Sequence, residues 1–449
     1  MIKYLGSKRT LLSVIGQVID GLGDACSVVD LFSGTSRVGH HLKRHGYRVH
    51  ANDHNAYAAT LARCYVQADR ETVVRDAERL IAELNGLPGA PGYFAETFCE
   101  RSRFFQPKNG ARVDSMRDAI AAKGLEPELE AVLLVALMEA ADRVDSTTGV
   151  QMAYLKKWAQ RANNEIELRM PDVLPRARHG KGSAHQLDAV EAVHALQADV
   201  AYLDPPYNQH KYLGNYHIWE SLVLWDKPEV YGVACKRIDC RSRSSDFNFR
   251  GEAARAMQAV IDGAQCKYLV VSFSNEGYFA RDQMERMLAT RGEVVVIERD
   301  FKRYVGAQIG IHNPQGERVG EVSHLRNLEY IYIVGPNVRE LITGNIALTS
   351  GVVALPLGYQ PTQRSHAQES RSVGEPLVAS VRALLERRET LSSAETQAAT
   401  GESPSAVRSA LHQLVDLGLV STTGQRRGTR YHWNPQTPQD PTSDTSRQL

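Results

Sequence analysis

Residues Val200-Ala-Tyr-Leu203 form an apolar run that stops abruptly at Asp204-Pro205-Pro206-Tyr207. The run reads as a buried strand. Neither proline has an N–H to donate and each fixes its own φ, so the strand must end there. Its tip is a rigid, mostly acceptor-only surface: the Asp204 carboxylate, backbone carbonyls and the projecting ring of Tyr207. Such a surface suits a planar group carrying an NH2, whose two hydrogens go to the carboxylate and a carbonyl while Tyr207 stacks on its face. The same residues also read as an ordinary strand end with a proline turn, so the rest of the chain must decide.

At 449 residues the chain is too long for one ordinary core, and two or three domains are expected. Its apolar fraction of 43% and charged fraction of 23% are those of a globular protein. The net charge is only +1, so nucleic-acid binding has to rest on local basic patches. The six cysteines are scattered, with no CxxC pair, which argues against a disulfide framework or a zinc site and for a reducing cytoplasm. No apolar targeting stretch opens the chain and no run of 18 apolar residues follows, so the expectation is a cytoplasmic protein that does not span a membrane.

Lys3-Tyr4-Leu-Gly6-Ser-Lys8-Arg places cations around a Gly-Ser turn before a helical pattern at 11–19, where free N–H groups suit an anion. Ser27-Val-Val-Asp30-Leu-Phe32-Ser-Gly34-Thr-Ser36 is a short β-branched strand running into a small-residue loop and then a helix, as in the first β-turn-α of a Rossmann-like unit. The loop lacks the GxGxxG phosphate cradle, which weakens a dinucleotide or ATP reading. Asp30 and Phe32 suit instead a ligand with an ammonium and a flat base. A second strand runs into Asp53, where an acid about 20 residues on takes a ribose hydroxyl or caps the next helix. Asp188 precedes the opening strand as a third strand-end acid, available to an adenine amine.

Residues 56–181 break the βα rhythm with helical patterns at 71–85, 114–122 and 127–143, and read as a helical insertion. Arg101 and Arg103 in its basic-aromatic stretch, and Arg241 and Arg243 in the later basic loop, are candidate phosphate contacts. Strands at 267–274, 293–299, 301–304 and 328–334 complete an expected seven-stranded doubly wound sheet, the last two as a hairpin closing one edge; Lys302 is a further candidate contact. Residues 356–375 read as a linker. Helices at 377–388, 391–399 and 404–416, then a hairpin with a basic tip, give a winged helix-turn-helix over 376–433 with Arg408 and Arg426 facing DNA. Residues 434–449 have no apolar pattern and read as a disordered tail.

In order, Lys3-Tyr-Leu-Gly-Ser-Lys8, Asp30-Leu-Phe-Ser-Gly34, Asp53, a helical insertion, Asp188, Asp204-Pro-Pro-Tyr207, Ser272-Phe-Ser-Asn275 and Phe301-Lys-Arg-Tyr304 resemble the D12 class of N6-adenine DNA methyltransferases, within the DPPY amino-methyltransferases, over roughly 1–335. The resemblance implies a Rossmann-like α/β catalytic domain over 1–55 and 182–350, with target recognition in the insertion. It also implies S-adenosylmethionine as cofactor, with Tyr4, Gly6 and Lys8 at its methionine end, Phe32 and Gly34 shaping the pocket, Asp53 on the ribose and Asp188 on the adenine. Asp204, Pro205, Pro206 and Tyr207 would be catalytic, on an adenine flipped out of double-stranded DNA. Restriction-modification or phage defence, with a partner nuclease, is the implied setting. Ser36 departs from the family, many members of which have a further glycine there. Three alternatives stay open: an RNA base methyltransferase, cytosine-N4 methylation, and a DNA-binding regulator built on an inactive fold.

Overall fold

In a computed structural model of the chain, the residues described are 1–209, 211–302, 311–312, 318–320, 326–345, 352–354, 375–402, 406–407, 410–411, 414–415, 419–423 and 429–434. Two units separate, Met1–Tyr359 and Gln360–Leu449.

The apolar, β-branched runs of the first unit pair into one sheet of β1 (Ser27–Asp30), β2 (Arg48–Asn52), β3 (Ser183–His185), β4 (Val200–Leu203), β5 (Tyr268–Ser274), β6 (Glu293–Lys302), β7 (Arg326–Gly335) and β8 (Val352–Ala354). Their order is β8-β6-β7-β5-β4-β1-β2-β3. Strands β3, β2, β1, β4 and β5 are parallel neighbours, whereas β7 runs antiparallel between β5 and β6. The architecture is thus α/β around a large, mostly parallel sheet. Chain order reverses between β1 and β4, and ligands of such sheets gather beyond the carboxyl ends of the strands at that switch.

The sheet has one strand more than the expected seven, because Val352–Ala354 adds to the outer side of β6. Phe301 and Lys302 do not start a strand of their own; they continue β6, since the ladder with β7 holds register as far as Lys302 opposite Arg326. Strand β7 is therefore internal, not an edge.

Alternation along the strands feeds two cores. Val28, Val49, Val200, Tyr202, Val270 and Ile331 face α1 (Leu12–Asp20), α2 (Arg37–Arg44) and a late helix at Val338–Asn345. Val29, Ala201, Leu203, Val271 and Phe273 face helices at Ala189–Ala195, Arg250–Gly263 and Arg281–Leu288. The helical residues after β2 include Ala56–Ala62, Arg70–Asn85, Pro107–Ala122 and Pro127–Arg143. Their apolar faces share one core with Ile2 and with Ile218, Trp219 and Leu222 of the helix His217–Leu224.

The second unit has helices Glu375–Arg388 and Ser393–Thr400 and a three-stranded sheet of Thr390–Ser392, Arg430–Trp433 and Val420–Thr423. Leu391 lies in a strand, not in the helix expected from residue 391. Ser392 caps that helix with a capping box, its Oγ accepting from Glu395 N at 3.2 Å while Glu395 accepts from Ser392 N at 2.7 Å. Leu377, Val381, Leu385, Val407, Leu411 and Leu414 form this unit's core. The expected linker up to 374, the candidate contacts Arg408 and Arg426, and the tail from 435 lie outside the described residues.

Candidate active site

Strand β4 delivers Asp204 to the carboxyl edge of the sheet, beside the end of β1, and the two prolines turn the chain away. The Lys8 Nζ lies 3.1 Å from Asp204 Oδ1 and pairs as well with Glu329 of β7. Ser272 Oγ on β5 donates to Glu329 Oε1 at 3.2 Å. Lys8 reaches this point because Gly6 takes φ +75°, a left-handed turn in which a Cβ would come within 3.0 Å of the Tyr212 hydroxyl. Burial pushes Asp204 up to about 6, with Glu329 adding to the rise and the Lys8 ammonium opposing it. Burial would lower Lys8, but the carboxylates of Asp204 and Glu329 outweigh it and hold the ammonium well above its usual range.

Facing this edge is an open cavity of about 1000 Å³, mouth included, lined by the ends of β1 and β2 and by the 187–189 turn. Asp30 is 1% exposed and accepts from Gly39 N at 3.1 Å, at the amino end of α2. Burial, with the Asp204 charge next, raises it to about 7, Gly39 opposing. Asp53 Oδ2 accepts from Gly34 N at 3.1 Å and its Oδ1 from Asn55 N at 2.9 Å, so it fixes the loop after β1. Within that loop Gly34 has φ +50°, close under the Tyr4 ring, and Ser36 has φ 57°. Ser36 thus holds the left-handed conformation for which a glycine is the usual choice. Phe32 meets Phe247 edge-on at 5.1 Å. Asp188 is exposed at the cavity wall; it follows β3 by three residues and caps the next helix, accepting from Val190 N at 2.9 Å.

Tyr4 stacks between Tyr212 and Tyr216, with ring centroids 5.3 and 4.5 Å away, and its hydroxyl meets that of Tyr57 at 3.1 Å. Tyr207 lies edge-on to Phe273 at 6.1 Å, its carbonyl accepting from Tyr278 N. Pro206 lines the cavity, and Pro205 is buried behind it.

Tyr4, Gly6, Lys8, Asp30, Phe32, Gly34, Asp53, Asp188, Asp204 and Pro206 thus meet around one cavity. The candidate basic residues part ways. Arg243 lines the cavity and donates to Glu220 Oε1 at 2.8 Å; that oxygen also accepts from Ala56 N, and Glu220 Oε2 accepts from Tyr57 N, at the start of a helix. Arg241 lies 4.2 Å over the Tyr231 ring, and Arg103 lies 4.7 Å over Trp158. Arg101 is exposed, and the Lys302 side chain falls outside the described residues. Sequence reasoning missed Glu329, Glu220 and Tyr212. Glu329 had a signal: a carboxylate in phase with Ile331 and Ile333 on an alternating strand.

The donor set suits a cation joined to a polar, flat group. A buried carboxylate at Asp30 calls for a positive partner. Asp53 and Asp188 offer acceptors for hydroxyl and amine hydrogens along the same wall. No helix among the described residues is long and apolar enough to cross a membrane.

Over 309 residues the chain is 30% identical to the type II methyltransferase M.FokI of Planomicrobium okeanokoites, covering 65% of this chain and 47% of that protein. It is 27% identical over 334 residues to the type II methyltransferase M.NlaIII of Neisseria lactamica, covering 72% of this chain and 98% of that protein. It is 27% identical over 321 residues to the modification methylase StsI of Streptococcus sanguinis, covering 67% and 48%. The chain therefore spans about half the length of M.FokI and StsI and nearly all of M.NlaIII. The profile of the D12 class N6 adenine-specific DNA methyltransferases matches residues 4–285, more than half of the chain, and the chain belongs to that family.

Proposed function

We propose that this protein transfers a methyl group from S-adenosylmethionine to N6 of adenine in duplex DNA, within a restriction-modification or phage-defence system. The observation that carries the reading is the Lys8–Asp204 pair at the end of β4, facing a cavity walled by Asp30, Asp53 and Asp188. Asp30 would meet the ammonium of the cofactor, Asp53 the ribose hydroxyls and Asp188 the adenine amine, with Phe32 against the base. The strand order, apart from the added β8, supports a seven-stranded Rossmann-like core.

When bound, the cofactor supplies an electrophilic methyl on a sulfonium whose charge is lost as the S–C bond breaks and the N–C bond forms. The residues of this chain supply position and electrostatics. An adenine N6 lone pair is delocalised into the ring. Asp204 accepts one amine hydrogen and the Pro205 carbonyl the other, which draws the nitrogen toward a tetrahedral geometry and frees its lone pair. Asp204, poised near pH 6, then takes the proton the methylated nitrogen sheds. Such a cavity is reached only by a base swung out of the helix, with Tyr207 as its stacking face. Residues 376–433 would be a winged helix that adds DNA contacts, and the helical insertion would recognise the target sequence.

Transfer of labelled methyl from S-adenosylmethionine to unmodified DNA and to RNA, with wild-type and Asp204→Ala protein, tests the reading. Label on DNA adenine that is lost in the variant supports it. Label on RNA alone, or none on either, overturns it.

A further inference from the structure

A charge interrupts the apolar alternation of β7. Glu329 shares its face of the strand with Ile331 and Ile333, which are fully buried, and is itself only 7% exposed. Because β7 runs antiparallel to β5, its first residues lie at the carboxyl end of the parallel strands, with Glu329 opposite Ser274. A carboxylate placed there is costly unless it is paired and hydrogen-bonded. Lys8 and Ser272 meet that need. Lys8, however, already faces Asp204 at 3.1 Å, so one ammonium serves two carboxylates. Glu329 sits behind Lys8 and is not among the residues that line the cavity.

Resting on the reading of Asp204 given above, we propose that Glu329 is a positioning residue for methyl transfer: it shares the Lys8 ammonium, so that Asp204 is held in place without being neutralised. The ion pair with Lys8 falls on Oδ1 and orients the Asp204 side chain, which leaves Oδ2 to the target amine. In a one-to-one pair with the ammonium, Asp204 would spend its acceptor strength on Lys8. Two carboxylates competing for one cation leave net negative charge at the strand tip. That charge strengthens the amine hydrogen bond and stabilises the positive charge developing on the nitrogen, an effect made only in the transition state.

The test is the pH dependence of methyl transfer to a DNA substrate by the full chain carrying Glu329→Gln or Glu329→Asp. With Gln, Lys8 is left to Asp204 alone; kcat falls by about tenfold or more with KM for DNA little changed. The acid limb of kcat/KM moves to lower pH, because the neighbouring negative charge that raised Asp204 is gone. Asp, which keeps the charge but draws it back by one methylene, gives an intermediate rate and an intermediate limb, and carries the test alone if the Gln protein does not fold. Affinity for S-adenosylhomocysteine, measured by calorimetry, stays at the wild-type value in both. An acid limb that does not move, a Gln variant with wild-type kcat, or a loss of S-adenosylhomocysteine affinity would each overturn the proposal. Failure of the wild-type protein to methylate DNA adenine would instead overturn the reading beneath it.

Discussion

The Lys8 ammonium lies 3.1 Å from Asp204 Oδ1, which ties the first turn of the chain to the tip of β4. Both side chains are largely buried, so the pair cannot be replaced by water. Lys8→Gln leaves Asp204 and Glu329 as buried carboxylates without their cation. We expect a loss of about 3–5 kcal/mol in urea unfolding near pH 8. The deficit shrinks in acid, because without Lys8 the Asp204 carboxylate takes a proton more readily and then no longer repels Glu329. A deficit independent of pH would contradict this.

Asp30 is raised to about 7 in the folded protein, from an ordinary value near 3.8. A raised carboxyl favours the fold below its unfolded value, and that contribution is lost as pH rises through about 7. Asp30→Asn should therefore stabilise the cofactor-free protein at pH 8 relative to pH 5, less the weakened Gly39 hydrogen bond. It should also weaken binding of S-adenosylmethionine by about tenfold or more, since the asparagine cannot pair with an ammonium. In the wild-type protein, cofactor affinity should fall as pH drops below 7. Thermal melts and calorimetry across that range read both effects.

Ser36 has φ 57° with its Oγ buried and unpartnered. Ser36→Gly relieves the left-handed backbone and removes that hydroxyl, offset by the chain entropy of glycine, and should stabilise by about 1 kcal/mol with activity retained. Gly34→Ala goes the other way, as its φ is +50° and a Cβ would sit 3.4 Å from the Tyr4 ring. Denaturant midpoints of the two variants should shift in opposite directions.

Arg243 and Arg241 are two residues apart but do different work. Glu220 is fully buried and loses its cation in Arg243→Ala, which should cost about 3 kcal/mol or more in stability and leave the salt dependence of DNA affinity as it was. Arg241→Ala removes an exposed cation and should lower the slope of log K against log salt by about 1, with stability unchanged. Equal salt slopes for the two variants would count against this division.

Most of the candidate site was legible because it is written in contiguous stretches. A strand, an acid and a stop signal recur at Asp30, Asp53 and Asp204, and a parallel sheet brings such ends together whatever lies between. Partners across the sheet were not legible. Lys8 reads as an anion-binding lysine at a turn, and only the antiparallel insertion of β7 shows that it answers to two carboxylates. Arg243 shares its local composition with Arg241, so nothing in the basic loop reveals which one turns inward toward Glu220. Leu391 fits a helix by periodicity, but a ladder with Tyr431 claims it for a strand. In each case a tertiary contact overrides a local pattern.

The most direct test of the account is the single-turnover rate of methyl transfer to duplex DNA as a function of pH, with the methylated base identified, for wild-type and Asp204→Asn protein. The account predicts N6-methyladenine, a rate that falls as pH drops through about 6, and a loss of about 100-fold or more in the variant with cofactor binding intact. Methylation of cytosine, or a variant that keeps the wild-type rate, would contradict it.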